Sequence, residues 1–453
     1  MQFKRILGLL AVLAGLAGYG ADHASLAQTT AQPAGGDLER QYDAAFQEML
    51  KQPANLDVLF KFATLASQTG DLEGAVSALE RMLLINPDLP RVRLELGVLY
   101  FRLGSFEVAR TYLEAALKAP NMPPEVRARA EKFLAEAQAR QNPSRLSGDF
   151  FLGWRYQSNA NLGPSSSTVR LFGQSANLNQ SSTGAPDWGV VASAQFRHTY
   201  DFGLQDNSAL ETQLTAYANR QFGVPTANVS LLDFTTGPRF QAFNGIFQDV
   251  TLKPFLSVGQ IWVYDTPYYS SYGGGLEANI LLLDRLRNTS NFTNRRHNHT
   301  DNWYLTINST YSGMEYSGTT AFQYQLSGLV TLFATGTGTR FEADQTPIQS
   351  YELLGASGGF SFRFDDPLFK SGLPWSFTVS YSYQWWRYDA ADPTVDPDVI
   401  RRQLDSILNV VLSVPFDERT SFSLSAGRFV RTSNLPNYEF TNNNVMFGIS
   451  WRF

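Results

Sequence analysis

The chain contains no cysteine among its 453 residues. This absence excludes a disulfide framework, a thiolate metal site, a cysteine nucleophile and a lipid-modified N-terminal cysteine. Charged residues are also scarce, at 17%, compared with roughly 25% in ordinary globular domains. The formal net charge of -5 gives no general reason to expect nucleic acid as a partner.

The sequence also lacks an apolar run of the roughly 18 residues that a membrane helix needs. Aromatic residues nevertheless make up 13% of the chain, and the mean hydropathy is mildly negative at -0.21. This combination is typical of a transmembrane β-barrel, whose strands alternate lipid-facing apolar residues with lumen-facing polar ones. Any membrane-spanning part is therefore expected to be a barrel.

The composition changes sharply near Ser147. Before this point the chain is rich in Ala, Leu, Glu, Arg and Lys. After it, Phe, Tyr, Ser, Thr, Asn and Gly dominate, and lysine occurs only at Lys253 and Lys370. The change predicts a helical domain followed by a strand-rich domain. We divide the chain into a signal peptide, a flexible leader, a helical domain, a linker and a barrel, at 1–27, 28–36, 37–141, 142–147 and 148–453.

The N-terminal segment has the pattern of a secretory signal peptide. Lys4 and Arg5 precede an apolar segment at 6–17, which is too short to span a bilayer. Ser25 and Ala27 then supply small residues at the two positions that a signal peptidase recognises. We therefore expect export from the cytoplasm.

Two stretches of the helical domain repeat with a period of 34 residues. Three pairs show the register: Gly70 recurs as Gly104, Ala75 as Ala109, and Leu79 as Leu113. The period and the exact spacing of small and large residues resemble the tetratricopeptide repeat, a helix–turn–helix unit. Pro124 begins a charged trailing helix that suits a terminal cap.

The first helix of each repeat is expected to line a concave groove. The predicted lining residues are Asp57, Phe60, Thr64, Ser67, Arg91, Leu94, Val98 and Phe101. One interpretation is a docking surface for a client protein or for the mouth of the barrel. The other is that most of these side chains pack between repeats.

The remainder of the chain shows the period-two alternation of half-buried strands. The windows are 148–157, 188–202, 207–222, 230–242, 250–264, 271–284, 301–314, 319–334, 350–364, 374–388, 401–414, 419–431 and 443–453. These are thirteen, whereas bacterial single-chain barrels have an even number. A weak strand at 166–175 raises the count to fourteen, with sixteen as the alternative. The predicted outer loops include 285–300 and 389–400.

The last strand alternates most clearly and ends on an aromatic residue. Its apolar set is Val445, Phe447, Ile449, Trp451 and Phe453. A terminal aromatic residue on such a strand looks like the sorting sequence of Gram-negative outer-membrane barrels. We expect this set to face lipid, and the strand to close the barrel against the strand at 148–157.

Candidate sites for chemistry are weak. His297 and His299 lie near Asp301 and could hold a metal, but a solvated loop is favoured. The acidic loop with Asp389, Asp392, Asp396 and Asp398 lacks calcium-loop spacing. The aromatic clusters Tyr268–Tyr269, Trp385–Trp386 and Trp262 could stack sugars, but an interfacial girdle is favoured. We expect no catalytic residues, no metal, no cofactor and no enzymatic activity.

Most of the chain after the signal peptide resembles the surface lipoprotein assembly modifier (Slam) family. The likeness is carried by NPDLPRVRLEL at 86–96, LGSFEVA at 103–109, MPPEV at 122–126 and YQSNANL at 156–162. The resemblance implies periplasmic tetratricopeptide repeats followed by an outer-membrane barrel of fourteen strands. It also implies a translocator that moves lipoproteins or other client proteins to the cell surface.

The partners expected from this resemblance are a client lipoprotein or secreted protein, outer-membrane lipids and the barrel assembly machinery. The chain itself is expected to be a monomer. Two other functions remain open. A polysaccharide export channel can also combine tetratricopeptide repeats with a barrel, and a general porin would need only the barrel.

Overall fold

The computed structural model describes residues 35–119, 124–179, 183–204, 208–242, 248–302, 307–369 and 372–453. The chain divides into a helical unit that ends at Pro143 and a barrel unit that begins at Ser144. The predicted signal peptide at 1–27 and the first part of the leader lie outside the described residues.

Six α-helices form the helical unit. They are α1 Gly35–Lys51, α2 Leu56–Thr69, α3 Leu72–Ile85, α4 Pro90–Arg102, α5 Phe106–Leu117 and α6 Pro124–Gln141. None of the described helices combines the length and hydrophobicity that crossing a membrane requires.

Local sequence explains where these helices begin and end. The Asn55 side chain accepts hydrogen bonds from the first turn of α2, and Asp71 does the same for α3. Gly70 and Gly104 adopt positive φ angles of 93° and 76° at the turns within the two repeats. Glycine adopts this conformation without the steric cost that a side chain brings. The predicted Gly70–Gly104 pair therefore occupies equivalent turns.

The predicted small and large residues of the repeat form the helical core. Ala75, Ala109 and Leu113 are fully buried. A Cβ atom on Gly97 of α4 would lie 2.6 Å from the Leu113 side chain of α5. The two helices of the second repeat thus approach closely because position 97 has no side chain.

Strands β1–β16 follow the helices. They are β1 Ser144–Gln157, β2 Thr168–Leu171, β3 Gln174–Asn177, β4 Asp187–Asp201, β5 Ala209–Gln221, β6 Val229–Gln241, β7 Gln248–Val263, β8 Thr266–Leu283, β9 Leu286–His299, β10 Gly313–Gln325, β11 Val330–Ala343, β12 Tyr351–Phe364, β13 Trp375–Tyr388, β14 Arg402–Pro415, β15 Thr420–Ser433 and β16 Phe440–Arg452. Fourteen of them, β1 and β4–β16, close into an antiparallel barrel in which β1 pairs with both β4 and β16. The even count places the start of β1 and the end of β16 at the same end of the barrel, which we call the terminal end. The opposite end is the far end.

Side chains alternate between lipid and lumen along each barrel strand, as the pleat requires. Along β13, Tyr381, Tyr383 and Trp385 face outward and are 39–49% exposed, whereas Ser380 is buried. The predicted terminal set follows the same rule. Val445, Phe447, Ile449, Trp451 and Phe453 lie on the outward face and are 37–51% exposed.

The predicted strand count of fourteen is confirmed, but the assignment that produced it is wrong in two places. Residues 166–175 do not cross the barrel, because β2 and β3 pair only with each other as a small hairpin. The predicted outer loop at 285–300 is instead barrel strand β9.

The two windows that followed this supposed loop are displaced. Within 301–314, residues 303–306 lie outside the described residues and only the last two belong to a strand. The window at 319–334 spans the turn between β10 and β11.

The polar outward face of β9 explains these errors. Its outward positions are Asn288, Ser290, Phe292, Asn294, Arg296 and Asn298, of which only Phe292 is apolar. A hydrogen-bonded group of Asn288, Ser290 and Thr320 satisfies part of this polar surface, with contacts of 2.9–3.0 Å. The strand therefore lacks the alternation of apolar residues on which the prediction depended.

Candidate functional site

The exposed face of the helical unit carries part of the predicted docking groove. Phe60 is partly buried beneath the Arg91 guanidinium, whose Cζ lies 5.4 Å from the ring centroid. Thr64 is exposed, and the Ser67 hydroxyl accepts a 2.8 Å hydrogen bond from Arg102. These contacts join α2 to α4, so that both helices present one surface.

Two predicted groove residues do not line it. Leu94 and Val98 are 1% and 8% exposed and pack with Leu113, Ala116 and Ala130. The prediction is wrong for them because α6 packs against α4 and covers this part of its surface. The alternative interpretation, packing between repeats, holds at these two positions.

Phe101 is partly covered for the same reason. Its ring contacts Phe106 of α5 and Phe133 of α6, with centroid distances of 5.3 and 5.6 Å. Asp57 remains exposed in the first turn of α2.

Sequence analysis missed a second arginine bridge on the helical unit. Arg129 of α6 donates to both carboxylate oxygens of Glu95 on α4, at 3.0 and 3.4 Å. Residues 95 and 129 are one repeat apart, and opposite charges at equivalent positions could have predicted the contact. Arg91 and Arg102 of α4 and Arg129 of α6 therefore place three guanidinium groups on two helices of this unit.

The lumen of the barrel is lined by charged pairs toward its terminal end. Arg239 Nε forms an ion pair with Glu211 at 2.9 Å, Lys253 donates to Glu211 at 3.3 Å, and Lys253 also contacts Glu277 at 3.1 Å. These four side chains come from the neighbouring strands β5–β8. Their opposite charges make the inner wall polar without a large excess of either sign.

A further ion pair lies between more distant strands. Arg295 of β9 donates to both oxygens of Asp233 on β6, at 2.7 and 3.3 Å. Both residues are less than one quarter exposed. The pair links inner-wall positions that are separated by β7 and β8.

Aromatic side chains replace these charges toward the far end of the lumen. The Tyr269 ring stacks on His297 at 4.6 Å, and His297 contacts Phe341 at 5.6 Å. Phe341 then contacts Tyr351 at 5.6 Å, and Tyr351 contacts Trp386 at 5.0 Å. We call these five residues the aromatic belt. They follow the inner wall from β8 to β13.

The aromatic clusters that were predicted to form a lipid-facing girdle do not all face outward. Trp385 faces outward and is 49% exposed, as a girdle residue should be, but its neighbour Trp386 faces the lumen. A β-bulge between Ile261 and Trp262 disturbs the pairing of β7 with β8. Tyr268 is buried beside this bulge.

The prediction that His297 and His299 lie in a solvated loop is wrong. Both residues belong to β9, and His297 is 8% exposed. His297 Nε2 lies 4.0 Å from Glu315 Oε1. Among the residues that the structure describes, no three His, Asp or Glu side chains are grouped so as to hold a metal.

A buried ion pair continues the lumen surface beyond the belt. Asp405 is fully buried and accepts two 2.6 Å hydrogen bonds from Arg431. It also accepts a 3.1 Å hydrogen bond from the indole nitrogen of Trp386. Rings of Phe429 and Phe440 lie within 5.6 Å of the guanidinium carbon.

The β2–β3 hairpin is attached to other loops at the far end of the barrel. Arg170 Nε lies 3.2 Å from Asp396 Oδ2 in the loop between β13 and β14, and Asp396 is 3% exposed. The Asn437 side chain bonds to both the backbone N–H and the carbonyl of Arg170, at 2.9 and 2.8 Å. The hairpin is thus attached to two other loops. We call these contacts the hairpin latch.

The hairpin tip extends this attachment through the backbone. Phe172 and Gly173 donate to the carbonyl groups of Thr394 and Val395, at 3.2 and 3.0 Å. The acidic loop that contains Asp392 and Asp396 therefore binds the tip of the hairpin.

A stacked arginine joins the neighbouring loops. The Arg401 guanidinium carbon lies 3.4 Å from the centroid of Tyr388 and 4.3 Å from that of Tyr438. Burial raises the pKa of Tyr438, and the nearby Arg401 opposes this shift. The loops at the far mouth are therefore packed against each other.

Comparison with known proteins supports the two-part architecture. A tetratricopeptide repeat family model matches residues 63–138. No curated protein matches the sequence.

Among solved structures, the barrel is similar to a loop L8 deletion mutant of OmpT, an outer-membrane protein of Vibrio cholerae. The identity is 8%, the TM-score is 0.38, and the match covers 69% of this chain and 100% of that chain. An anion-selective porin from Comamonas acidovorans matches at 10% identity and a TM-score of 0.35, covering 68% and 99%.

The helical unit is similar to the Yersinia enterocolitica type III secretion chaperone SycD, solved with a peptide of the translocator YopD. The identity is 14% and the TM-score is 0.19, with 23% of this chain and 94% of that chain covered. These likenesses are distant, and the fold rests on the strand pairing itself. The chain is a closed antiparallel β-barrel of fourteen strands, preceded by a helical unit that a tetratricopeptide repeat family model matches over residues 63–138.

Proposed function

We propose that this protein is an outer-membrane translocator that moves a lipoprotein or another client protein to the cell surface. The helical domain lies in the periplasm, where it docks the client or gates the barrel. The observation that carries the proposal is the direct connection between the two units. Only Asn142 and Pro143 separate α6 from β1, so a repeat array of the kind that binds peptides is tied to the terminal end of a barrel.

The exposed helical face supports a docking role. It offers an aromatic ring, hydroxyl groups and three guanidinium groups across α2, α4 and α6. Stacked helical repeats commonly bind extended segments on such a surface. Arginine and aromatic side chains are also enriched among residues that dominate binding energy.

The lumen supports passage of a polar chain and argues against a permanently open porin. Its terminal end is lined by ion pairs, which suit a hydrated polypeptide. At its far end, the hairpin latch and the stacked Arg401 hold the loops around the mouth together. In this proposal the packed loops keep the mouth closed until the client arrives, which a diffusion channel would not require.

The partners in this proposal are the client, the surrounding outer-membrane lipids and the barrel assembly machinery, and the chain acts as a monomer. The translocator needs no cofactor of its own. The driving force comes from folding of the client outside the cell or from a partner machine.

Deletion of residues 37–141 tests the proposal. We expect the barrel to assemble normally, because its strands pair only with each other among the described residues. Display of the client should be lost. Proteinase K is added to whole cells, and mass spectrometry of the released peptides measures the display of every surface protein. The client therefore does not have to be known in advance. An unchanged set of surface proteins, with the barrel assembled, would refute the proposal.

A pair of surface variants separates docking from folding. In R91E/R102E the charge of the docking face is reversed, and we expect display to fall about tenfold, as for loss of a moderate binding contact. The control is R81E, an exposed position on α3 away from this face. Equal display in both variants would exclude the arginine-bearing face as the docking surface. Loss of a surface polysaccharide instead of proteins would favour the export-channel alternative.

A further inference from the structure

The outward surface of the barrel carries an unusual row of charges near the far end. The strand register places Arg340, Glu352, Arg387 and Arg402 side by side on β11, β12, β13 and β14. All lie on the same face as Trp385, which is exposed to lipid. Their strand positions, within a few residues of the far-end loops, correspond to the headgroup region of a membrane.

The arginines in this region differ in whether they have partners. Arg340 donates to both oxygens of Asp389, at 2.8 and 2.6 Å, and also contacts Glu342 at 3.3 Å. Arg296, on the same outward face, is held by Asp344. These two guanidinium groups are already satisfied by carboxylates.

The guanidinium groups of Arg387 and Arg402 have no hydrogen-bond or ion-pair partner among the described residues. Both side chains are exposed, and the two residues are direct cross-strand partners. Like charges at such positions repel each other, because their Cβ atoms are only about 5 Å apart. Glu352 lies opposite Arg387 on the other side and offsets one of the two charges. One positive charge is left over, together with several unused hydrogen-bond donors.

The surface just inside the membrane from this pair is strongly apolar. Trp385 is 49% exposed and Leu354, its partner in the register, is 64% exposed. On the neighbouring strand Leu404 pairs with Trp385. A charged pair above an aromatic and aliphatic surface complements a lipid whose phosphate lies at the interface and whose acyl chains lie in the bilayer.

We propose that Arg387 and Arg402 bind the phosphate group of a lipid in the leaflet that surrounds the far end of the barrel. The two guanidinium groups donate hydrogen bonds to the phosphate oxygens, as arginine does at other phosphate sites. The acyl chains pack on Trp385 and its aliphatic neighbours. Binding of the anion removes the repulsion between the two arginines.

The test uses the full chain refolded in neutral detergent and titrated with diphosphorylated lipid A or its dephosphorylated analogue. Native mass spectrometry measures the bound fraction. We expect R387Q/R402Q to bind the phosphorylated lipid about 25-fold more weakly, because each arginine near an anionic surface contributes about fivefold. The matched control is R428Q, an outward arginine on β15 that donates to Asn443. It should bind like the wild type.

Three outcomes would overturn the proposal. These are equal binding by R387Q/R402Q and the wild type, equal binding of the two lipids by the wild type, and full displacement of the lipid by millimolar inorganic phosphate. The single variant R402Q distinguishes loss of lipid binding from a folding defect. Without lipid this variant should be at least as stable as the wild type, because the cross-strand repulsion is relieved. A loss of stability would indicate a merely structural role.

Discussion

At the scale of single residues, the contribution of an ion pair to the stability of the barrel depends on how far the pair is buried. Asp149 and Arg452 form a 2.8 Å ion pair across β1 and β16, but both side chains are more than half exposed. Such exposed pairs contribute about 0–1 kcal/mol. Asp405 and Arg431 form a comparable pair in full burial, beside the aromatic side chain of Trp386. Removing one member of a buried pair leaves the other charge without solvent or partner.

We therefore predict that D405N destabilises the barrel by about 3–5 kcal/mol, because the buried Arg431 guanidinium loses its carboxylate. D149N should cost about 0–1 kcal/mol and serves as the matched control. Urea unfolding in detergent micelles, followed by tryptophan fluorescence, measures both. Replacing both partners, as in D405L/R431M, should recover most of the loss. Similar midpoints for D405N and D149N would contradict this account.

At the scale of elements, the position of the β2–β3 hairpin is fixed by loops that are distant in the sequence. The weak alternation around residues 166–175 predicted a strand, and two short strands do form there. Their outer contacts are made with residues more than 200 positions away, such as Asn437. A sequence pattern carries no information about such contacts, so the hairpin was wrongly assigned to the barrel wall.

We predict that D396N loosens the hairpin and opens the far mouth. Loss of the charged contact with Arg170 costs about 1.5 kcal/mol, which corresponds to about a tenfold larger open population. Single-channel conductance in planar bilayers measures the opening. The control is T168A, which removes a hydroxyl that bonds within the hairpin to Asn177. Conductance of D396N at the wild-type level would show that the hairpin does not control the mouth.

At the scale of the whole molecule, β1 and β16 close the barrel, and Phe453 extends the seam between them. Phe453 exchanges backbone hydrogen bonds with Gly148 at 3.1 Å in both directions. Its ring stacks on Trp451 at 5.0 Å and lies against Gly148, where a Cβ atom would come within 2.7 Å of the ring. The terminal aromatic residue thus completes the seam between the first and last strands.

We predict that deletion of Phe453 lowers the amount of folded barrel in the outer membrane several-fold, because the seam loses both its last hydrogen bonds and its aromatic contact. F453Y should assemble normally, since it keeps the ring and the backbone. Heat-dependent mobility on gels, which separates folded from unfolded barrels, gives the measurement. Normal outer-membrane levels of the deletion variant would count against the barrel-assembly role of this terminus.

Much of the candidate site was beyond the reach of sequence patterns. The exposed face that we propose for docking carries four of the residues predicted to line the groove, Phe60, Thr64, Ser67 and Arg91. Leu94 occupies the position of Phe60 in the next repeat, yet Leu94 is buried among Leu113, Ala116 and Ala130, whereas Phe60 lies partly buried beneath the Arg91 guanidinium. Equivalent positions in a short array have different neighbours, so the period alone cannot separate groove from core.

Local sequence patterns were enough to predict the two-domain organisation and the repeat, whereas the strand count of fourteen was right only because the supposed strand at 166–175 compensated for the missed strand β9. The organisation and the repeat follow from local periodicity, either 34 residues or two, and from the requirement that a membrane barrel has no open edge. The folded chain was needed to show that the polar strand β9 belongs to the barrel wall. It was also needed to show that the aromatic belt lines the far end of the lumen and that the hairpin latch joins loops at that end. These features depend on contacts between strands and loops that are far apart in the chain. Backbone hydrogen bonds around the closed sheet hold β9 in the wall even though its side chains lack the alternation typical of a barrel strand.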